Sequence, residues 1–402
     1  MISIRKIIII LLFSFFSVSL FSQDIEKSFY VKATGNDDNS GRNEDTPFKT
    51  LTKALEAVSQ SSISKITIIG TLTNESENIR ENSVFFIRYP AEKDIYVVGK
   101  DNAVLSGVIP KRSKSILFVA TYNDVCITFE NIEFSGINDT NDSSNAIFLG
   151  NGNLSLKNCK IINNSSIGNG TGLYISRGKC AIDSTEFKNN KSSEDGGAIF
   201  CKSNLSGNCS LSINNCIFSD NCSEKNGGAI FSNYVGDVSI TNSIFKNNSA
   251  KGNGGALYTC GDSLIIDNTL LENNKAIFGG AIFAPQVGIF NSNSCKFLSN
   301  KANQGGAIKL STILGGGRVT IVRSDDNTDY RYFNNERFIL NNTSFENNNA
   351  QFIGGAIYID KNDNYFDSAR CYIPSDEDFS TCIFINNQTG DDVGNDIYNA
   401  LR

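Results

Sequence analysis

The sequence predicts an all-β fold, a parallel β-helix solenoid preceded by a short N-terminal capping helix. Three observations carry this: a tandem repeat, strand-like alternation inside each repeat, and no helical stripe long enough to cross over a sheet. Gly-Gly-Ala-Ile or Gly-Gly-Ala-Leu starts at Gly196, Gly227, Gly254, Gly279, Gly305 and Gly354. About ten residues before each stands a Phe-x-x-Asn element: Phe187/Asn190, Phe218/Asn221, Phe245/Asn248, Leu271/Asn274, Phe297/Asn300 and Phe345/Asn348. Weaker copies flank them at Ile161/Asn164 and Phe384/Asn387. The interval is roughly 25 to 31 residues except where insertions stretch it. Segments such as Leu154-Ser155-Leu156, Leu211-Ser212-Ile213 and Val238-Ser239-Ile240 alternate with the period of a half-buried strand. Strands that recur at one interval without crossover helices leave coils of about three short strands, each stacked about 4.8 Å on the next.

The expected organisation is an export signal over residues 1–22, a strand and capping helix over 23–60, and the β-helix over 61–402, with repeats clearest over 146–398. Arg5 and Lys6 precede an apolar run from Ile7 to Phe16, followed by small serines. That is the pattern of a cleaved secretory signal. The run is short of the roughly 20 residues that span a bilayer, which disfavours a membrane anchor. No transmembrane segment is expected after cleavage. A strand is expected at Phe29-Tyr30-Val31, then a polar loop from Gly35 to Asp45. A helix should follow, with Thr46 as N-cap and Pro47 at its first position. Phe48, Leu51, Ala54, Leu55 and Val58 fall on one helical face, suited to covering the open end of a solenoid core. Ile66–Ile69, Val84–Ile87 and Ile95–Val98 supply less regular first coils.

Within the repeats, equivalent positions should form ladders along the stack. Three places before the Phe lie Asn131, Asn158, Ser184, Asn215, Asn242, Asn268, Ser294 and Asn342, able to bond one another and the turn backbone. The next slot wants a small side chain and reads Cys159, Thr185, Cys216, Ser243, Thr269, Cys295, Thr343 and Cys382. The paired glycines suit a turn that needs positive φ or close coil contact, followed by inward Ala and Ile. The chain has 11 cysteines, an odd number. In the small slot Cys never follows Cys in the next coil, so Cys159, Cys216 and Cys295 are expected as buried thiols. Cys180, Cys201, Cys209, Cys222 and Cys260 leave room for one or two bridges. No Lys cluster stands near to activate a thiol.

Two insertions occur at the same place in their coils, after the Gly-Gly strand. One runs from about Ser311 to Arg337 and carries Tyr330, Arg331, Tyr332 and Phe333; the other, about Lys361 to Asp378, carries Tyr365, Phe366 and Tyr372. They should emerge on one side, where Tyr- and Arg-rich loops on a rigid scaffold are candidate contacts. The alternative has the aromatics folded down over a wall of the helix. The last repeat ends at Tyr398, four residues before Arg402, so no C-terminal barrel is expected and the end is either covered by a partner or shortened relative to its relatives.

The combination of Gly-Gly-Ala-Ile with Phe-x-x-Asn resembles the polymorphic outer membrane protein repeat of chlamydial surface proteins, over roughly Ala146 to Tyr398. Tyr30-Val31-Lys32-Ala33-Thr34-Gly35, followed by Thr46-Pro47-Phe48-Lys49-Thr50-Leu51, is similar to the opening of many domains of the pectin lyase-like superfamily. The resemblance implies a right-handed parallel β-helix and surface exposure, often adhesion. A barrel like that of the autotransporter members is not expected.

His is 0, which removes every Ser-His-Asp or Cys-His system and any histidine-held zinc or haem. A net charge of -6 argues against nucleic acid as a partner. Asp183 and Asp267 lie three coils apart, about 14 Å at the coil spacing, too far to share a cation. Asp325-Asp326 and Asp391-Asp392 read as solvated turns. The expectation is therefore a secreted or cell-surface scaffold, without catalytic residues, cofactor or metal, that binds a host or neighbouring cell-surface protein or glycan. The alternative is a carbohydrate-active enzyme of the polysaccharide lyase kind, which rests on fold analogy.

Overall fold

The computed structural model describes residues 27–73, 83–88, 93–107, 115–121, 125–140, 142–202, 209–311, 318–320, 335–360, 381–390 and 397–399. The expected signal segment 1–22 lies outside them. The chain winds into a parallel β-helix, with one short helix at its start. Ser28–Lys32 pairs in parallel with Lys65–Leu72, which pairs in parallel with Ile95–Ser106, and later coils add parallel strands, with register shifts at points such as Ile69/Thr71 and Tyr258/Cys260. Phe187, Phe218, Phe245, Leu271, Phe297, Phe345 and Phe384 are successive register partners.

A regular coil has a long strand region, a three-residue strand and a two-residue strand. In one coil these are Ile199–Lys202 with Cys209–Asn214, then Ile217–Ser219, then Cys222–Ser223. In the next two coils the first pair fuses into single strands, Ile230–Thr241 and Leu257–Asp267. The core runs unbroken along the stack, built from inward Ile, Leu, Val, Ala and the repeat phenylalanines. Phe187 and Phe218 stack with ring centroids 4.7 Å apart, Phe218 and Phe245 at 4.6 Å, and Phe345 and Phe384 at 5.0 Å. The coil spacing thus equals the offset at which aromatic rings stack favourably.

The capping helix is Leu51–Ser59, with Leu51, Ala54 and Val58 buried against the first strands. Its N-cap is Thr50, whose side chain accepts from Lys53 N, and not the expected Thr46. The cause is tertiary. Phe48 pairs with Val31, donating its N–H to Tyr30 O at 2.8 Å, which keeps the backbone extended past Pro47. The Asp37 carboxylate then accepts from Lys49 N, Thr50 N and Thr50 Oγ1 at the start of the helix, favoured by its dipole. Thr46 instead turns back to Asn43 Oδ1.

The two glycines of each pair answer different needs. Gly227 has φ +64, a conformation that L side chains rarely adopt, while a Cβ on Gly228 would lie 2.1 Å from Gly255 O and 2.5 Å from Ser249 O. Positive φ thus explains the first glycine and backbone contact with the next coil the second. Ala229 and Ile230 then point into the core.

Candidate functional site

Two asparagine-rich columns run along the solenoid, and only one lies inside it. The column three places before the Phe is defined by backbone shape: Asn158, Ser184, Asn215, Asn242 and Asn268 all have φ between 44° and 52°. Asn and Ser fit because short polar side chains tolerate this region. The expected side-chain bonds occur in places, Asn158 Nδ2 to Asn131 Oδ1 at 2.6 Å and Asn268 Nδ2 to Asn242 Oδ1 at 2.8 Å, at the surface. The continuous ladder is the Asn of Phe-x-x-Asn. Asn190, Asn221, Asn248, Asn274 and Asn300 are fully buried. Asn221 Nδ2 donates to Phe187 O on one side and to Asn248 Oδ1 on the other, and Asn248 repeats this with Phe218 O and Asn274 Oδ1. Each Oδ1 also accepts the backbone N–H of the preceding Asn, so Asn274 Oδ1 takes both Asn248 N and Asn248 Nδ2. The ladder crosses coil intervals of 31, 27, 26, 26, 48 and 39 residues without a break.

The small slot interchanges Cys, Thr and Ser because each supplies one short donor. Thr185 Oγ1 donates to Asp183 O at 2.9 Å, Ser243 Oγ to Thr241 O at 2.7 Å and Cys216 Sγ to Asn214 O at 3.1 Å. Cys159, Cys216 and Cys295 are buried free thiols, as expected. Burial pushes the thiols of Cys159 and Cys216 up to about 11, and those of Cys180 and Cys295 also upward, the opposite of activation. Cys201 and Cys209 are disulfide-bonded within one coil.

The outer faces carry three further patterns. First, the residue after Gly-Gly-Ala-Ile points outward and is aromatic in coil after coil: Phe148, Tyr174, Phe200, Phe231, Tyr258 and Phe283, with centroids 4.7–5.4 Å apart. Despite pointing outward, Phe200 and Phe231 are buried, since they stack on each other and lie against the glycine turn. Burial raises the phenol of Tyr258 to about 12. The column then takes in Lys309, whose Nζ lies 3.9 Å from the Phe278 ring and 4.9 Å from Tyr358 and donates to Gln304 Oε1. Sequence reasoning missed this stripe, although its signal, an aromatic directly after five of the six Gly-Gly-Ala-Ile or Gly-Gly-Ala-Leu motifs, was in plain view.

Second, Ile217 and Ile244 are exposed neighbours in successive coils, continued by Leu270. Third, exposed charges pair from coil to coil: Lys225 with Glu194, Lys251 with Glu224, and Lys246 with Glu272 at 3.0 Å. Such surface pairs add little stability. Asp195 has its carboxyl held above the usual range by burial, and accepts from Asn226 N and Nδ2. The outward slot holding Asp183 and Asp267 is likewise bonded along the stack, Asn214 Nδ2 to Asp183 and Asn293 Nδ2 to Asp267.

Tyr330, Arg331, Tyr332, Phe333, Tyr365, Phe366 and Tyr372 lie outside the described residues. The strands that lead to them do not: Ile308–Ser311 and Ile357–Asp360 are in register, so Ser311 and Asp360 are neighbours and both insertions leave from one edge of the solenoid. Among the described residues no three of His, Cys, Asp and Glu gather as metal ligands, and no helix is long and apolar enough to cross a membrane.

The family model of the Chlamydia polymorphic membrane protein repeat matches residues 184–202, 215–233, 242–260 and 342–360. Each match runs from the positive-φ slot through the Phe, the buried Asn and the glycine pair to the strand with the outer aromatic, and stops short of segments such as Cys209–Asn214 that complete the coil. No curated protein matches the sequence. Among solved structures, a rhamnogalacturonan lyase aligns at TM-score 0.46 and 14% identity, over 79% of this chain and 87% of its own. A GH136 lacto-N-biosidase from Eubacterium ramulus aligns at TM-score 0.34 and 10% identity, over 90% of this chain and 67% of its own.

Proposed function

We propose that this chain, a parallel β-helix carrying polymorphic membrane protein repeats, is an exported scaffold, secreted or held at the cell surface, that binds a host or neighbouring cell-surface protein or glycan without catalysis. The observation that carries the reading is the use to which the repeat puts its polar and reactive side chains. Its inner Asn bonds the coils together, Cys159, Cys216 and Cys295 of its small slot lie buried with raised thiols, and Lys225, Lys246 and Lys251 pair with Glu of a neighbouring coil. What remains for a partner is the outer surface and the two insertions that leave it from one edge. The repeat match points the same way, toward an outer membrane or surface location.

Binding of the purified protein to cells tests this, with Tyr330, Arg331, Tyr332, Phe333, Tyr365, Phe366 and Tyr372 changed together to Ser. Loss of binding with unchanged thermal unfolding is expected; unchanged binding would reject the insertion surface. Incubation with Ca²⁺ and polyuronate tests the absence of catalysis. The expected result is no product, and steady release abolished by changing a single acid would overturn it.

A further inference from the structure

We propose that a cleft at the start of the solenoid, where Asn131 ends the outer asparagine column, binds one neutral sugar ring of a glycan. This rests on the binding-scaffold reading and names a ligand class and a place for it.

The cleft arises from a difference in turn length. Ile95–Val98 pairs with Ile127–Glu130, and Val104–Ser106 pairs with Glu133–Ser135. In the upper coil two residues, Asn131 and Ile132, join these strands. In the lower coil the join takes residues 99–103, with Asp101 and Asn102 both at positive φ. The longer turn borders a half-open cleft of about 380 Å³, lined by Gly99, Asn102, Asn131, Glu133, Asn158 and Lys160. Lys100 anchors the turn to the capping region through Glu44 at 2.6 Å.

Polar groups converge there with open valences. Asn131 Oδ1 accepts from Asn158 Nδ2 in the coil above. On the lower side the column stops, because the residue level with Asn131 is Gly99, where a Cβ would meet Asn131 O at 2.1 Å. The Asn131 amide nitrogen therefore has no column partner there. Glu133 uses one oxygen for Ser135 Oγ at 2.7 Å and leaves the other open. One carboxylate, one ammonium from Lys160 and the three carboxamides of Asn102, Asn131 and Asn158 make a site with no net charge, rich in donors and acceptors suited to hydroxyl groups. Val104 supplies a part-exposed apolar contact for the C–H face of a sugar ring, while Ala103 and Ile132 are buried. The volume lies at the lower end of small-molecule sites, about 300–1,000 Å³, which suits one sugar unit with the remainder of the glycan in solvent.

Saturation-transfer NMR on the full chain tests this, with millimolar glucose, galactose, mannose and N-acetylglucosamine as probes and galacturonate as the charged comparison. At least one neutral sugar should show transfer, reduced at least fivefold in the double variant Asn131→Ser with Glu133→Ala, whose circular dichroism melt should match the wild type. A variant with the melt lowered is replaced by Lys160→Ala, for which the same reduction is expected. No transfer to any neutral sugar, transfer unchanged in the variants, or galacturonate exceeding all four would overturn the proposal. Cell binding measured on the same wild-type sample separates the two readings. Cells bound without any neutral sugar sinks the cleft and leaves the scaffold reading; a cleft-dependent sugar without cell binding does the reverse.

Discussion

The regular coils between Phe187 and Asn300 and the first coils between Lys65 and Ala120 are wound alike and held differently. In the regular coils a long strand region is followed by separate three-residue and two-residue strands, and the turns between these are bonded by a buried Asn, a small hydroxyl or thiol, and a glycine in backbone contact. In the first coils one strand runs on through the corner, as Ile95–Ser106 does to reach Glu133–Ser135, and the core holds Ile, Val, Leu and Phe85 without a Phe-x-x-Asn element. The difference teaches what the motif is for. A strand that runs on through a corner carries ladder bonds into it, whereas a corner between separate three-residue and two-residue strands needs side chains to satisfy its buried backbone. Freed of the motif, the turn at residues 99–103 can lengthen, and a cleft follows.

Breaking the regular region hardest should be Gly228→Val, whose side chain meets two backbone carbonyls that have nowhere to move. A loss on the order of 5 kcal/mol, the exceptional end of single substitutions, is expected in urea unfolding. Phe218→Ala removes a ring stacked on both neighbours and should cost about 4 kcal/mol by the same measurement. In the capping region Thr50→Ala should cost only about 1 kcal/mol, since one capping bond is lost and Asp37 still holds the backbone of Lys49 and residue 50.

The buried thiols sharpen the contrast through pH. Cys216 keeps its proton in the folded state up to about 11, while an unfolded thiol loses it from near the ordinary value of 9.0. The unfolded state therefore binds fewer protons in that window. The stabilising contribution is complete below the unfolded value and declines as pH rises toward the folded one. Stability should fall between pH 9 and 11, and the fall should shrink in Cys216→Ser, whose hydroxyl keeps the slot's bond. Iodoacetamide at pH 8 should label this thiol only after unfolding.

Much of this was legible in the sequence. The winding, the Phe ladder, both glycine roles, the small slot and the buried thiols follow from residues that recur at one interval. The helix start did not, because Thr46-Pro47 is a sound local cap signal that the long-range pairing of Phe48 with Val31 overrides. Nor did the sequence reading say which asparagine column faces inward, since both are Asn-rich and direction is a property of the coil. Hindsight locates the clue in substitution within the chain itself. Ser replaces Asn at Ser184 and Ser294 within the outer column, whereas the inner column reads Asn without a break from Asn164 to Asn387 and gives way only at its first coil, to Ile137.

That clue defines the most direct test of the central claim, that the repeat's polar signature holds the coils together and leaves function to the surface. Asn248→Ser and Asn242→Ser make the same chemical change six residues apart in one coil, and urea unfolding compares them. Asn248→Ser strips a buried ladder of bonds and should cost about 3 kcal/mol. Asn242→Ser, at the surface, should stay within about 0.5 kcal/mol of the wild type. Equal losses, or a larger loss at Asn242, would contradict the account.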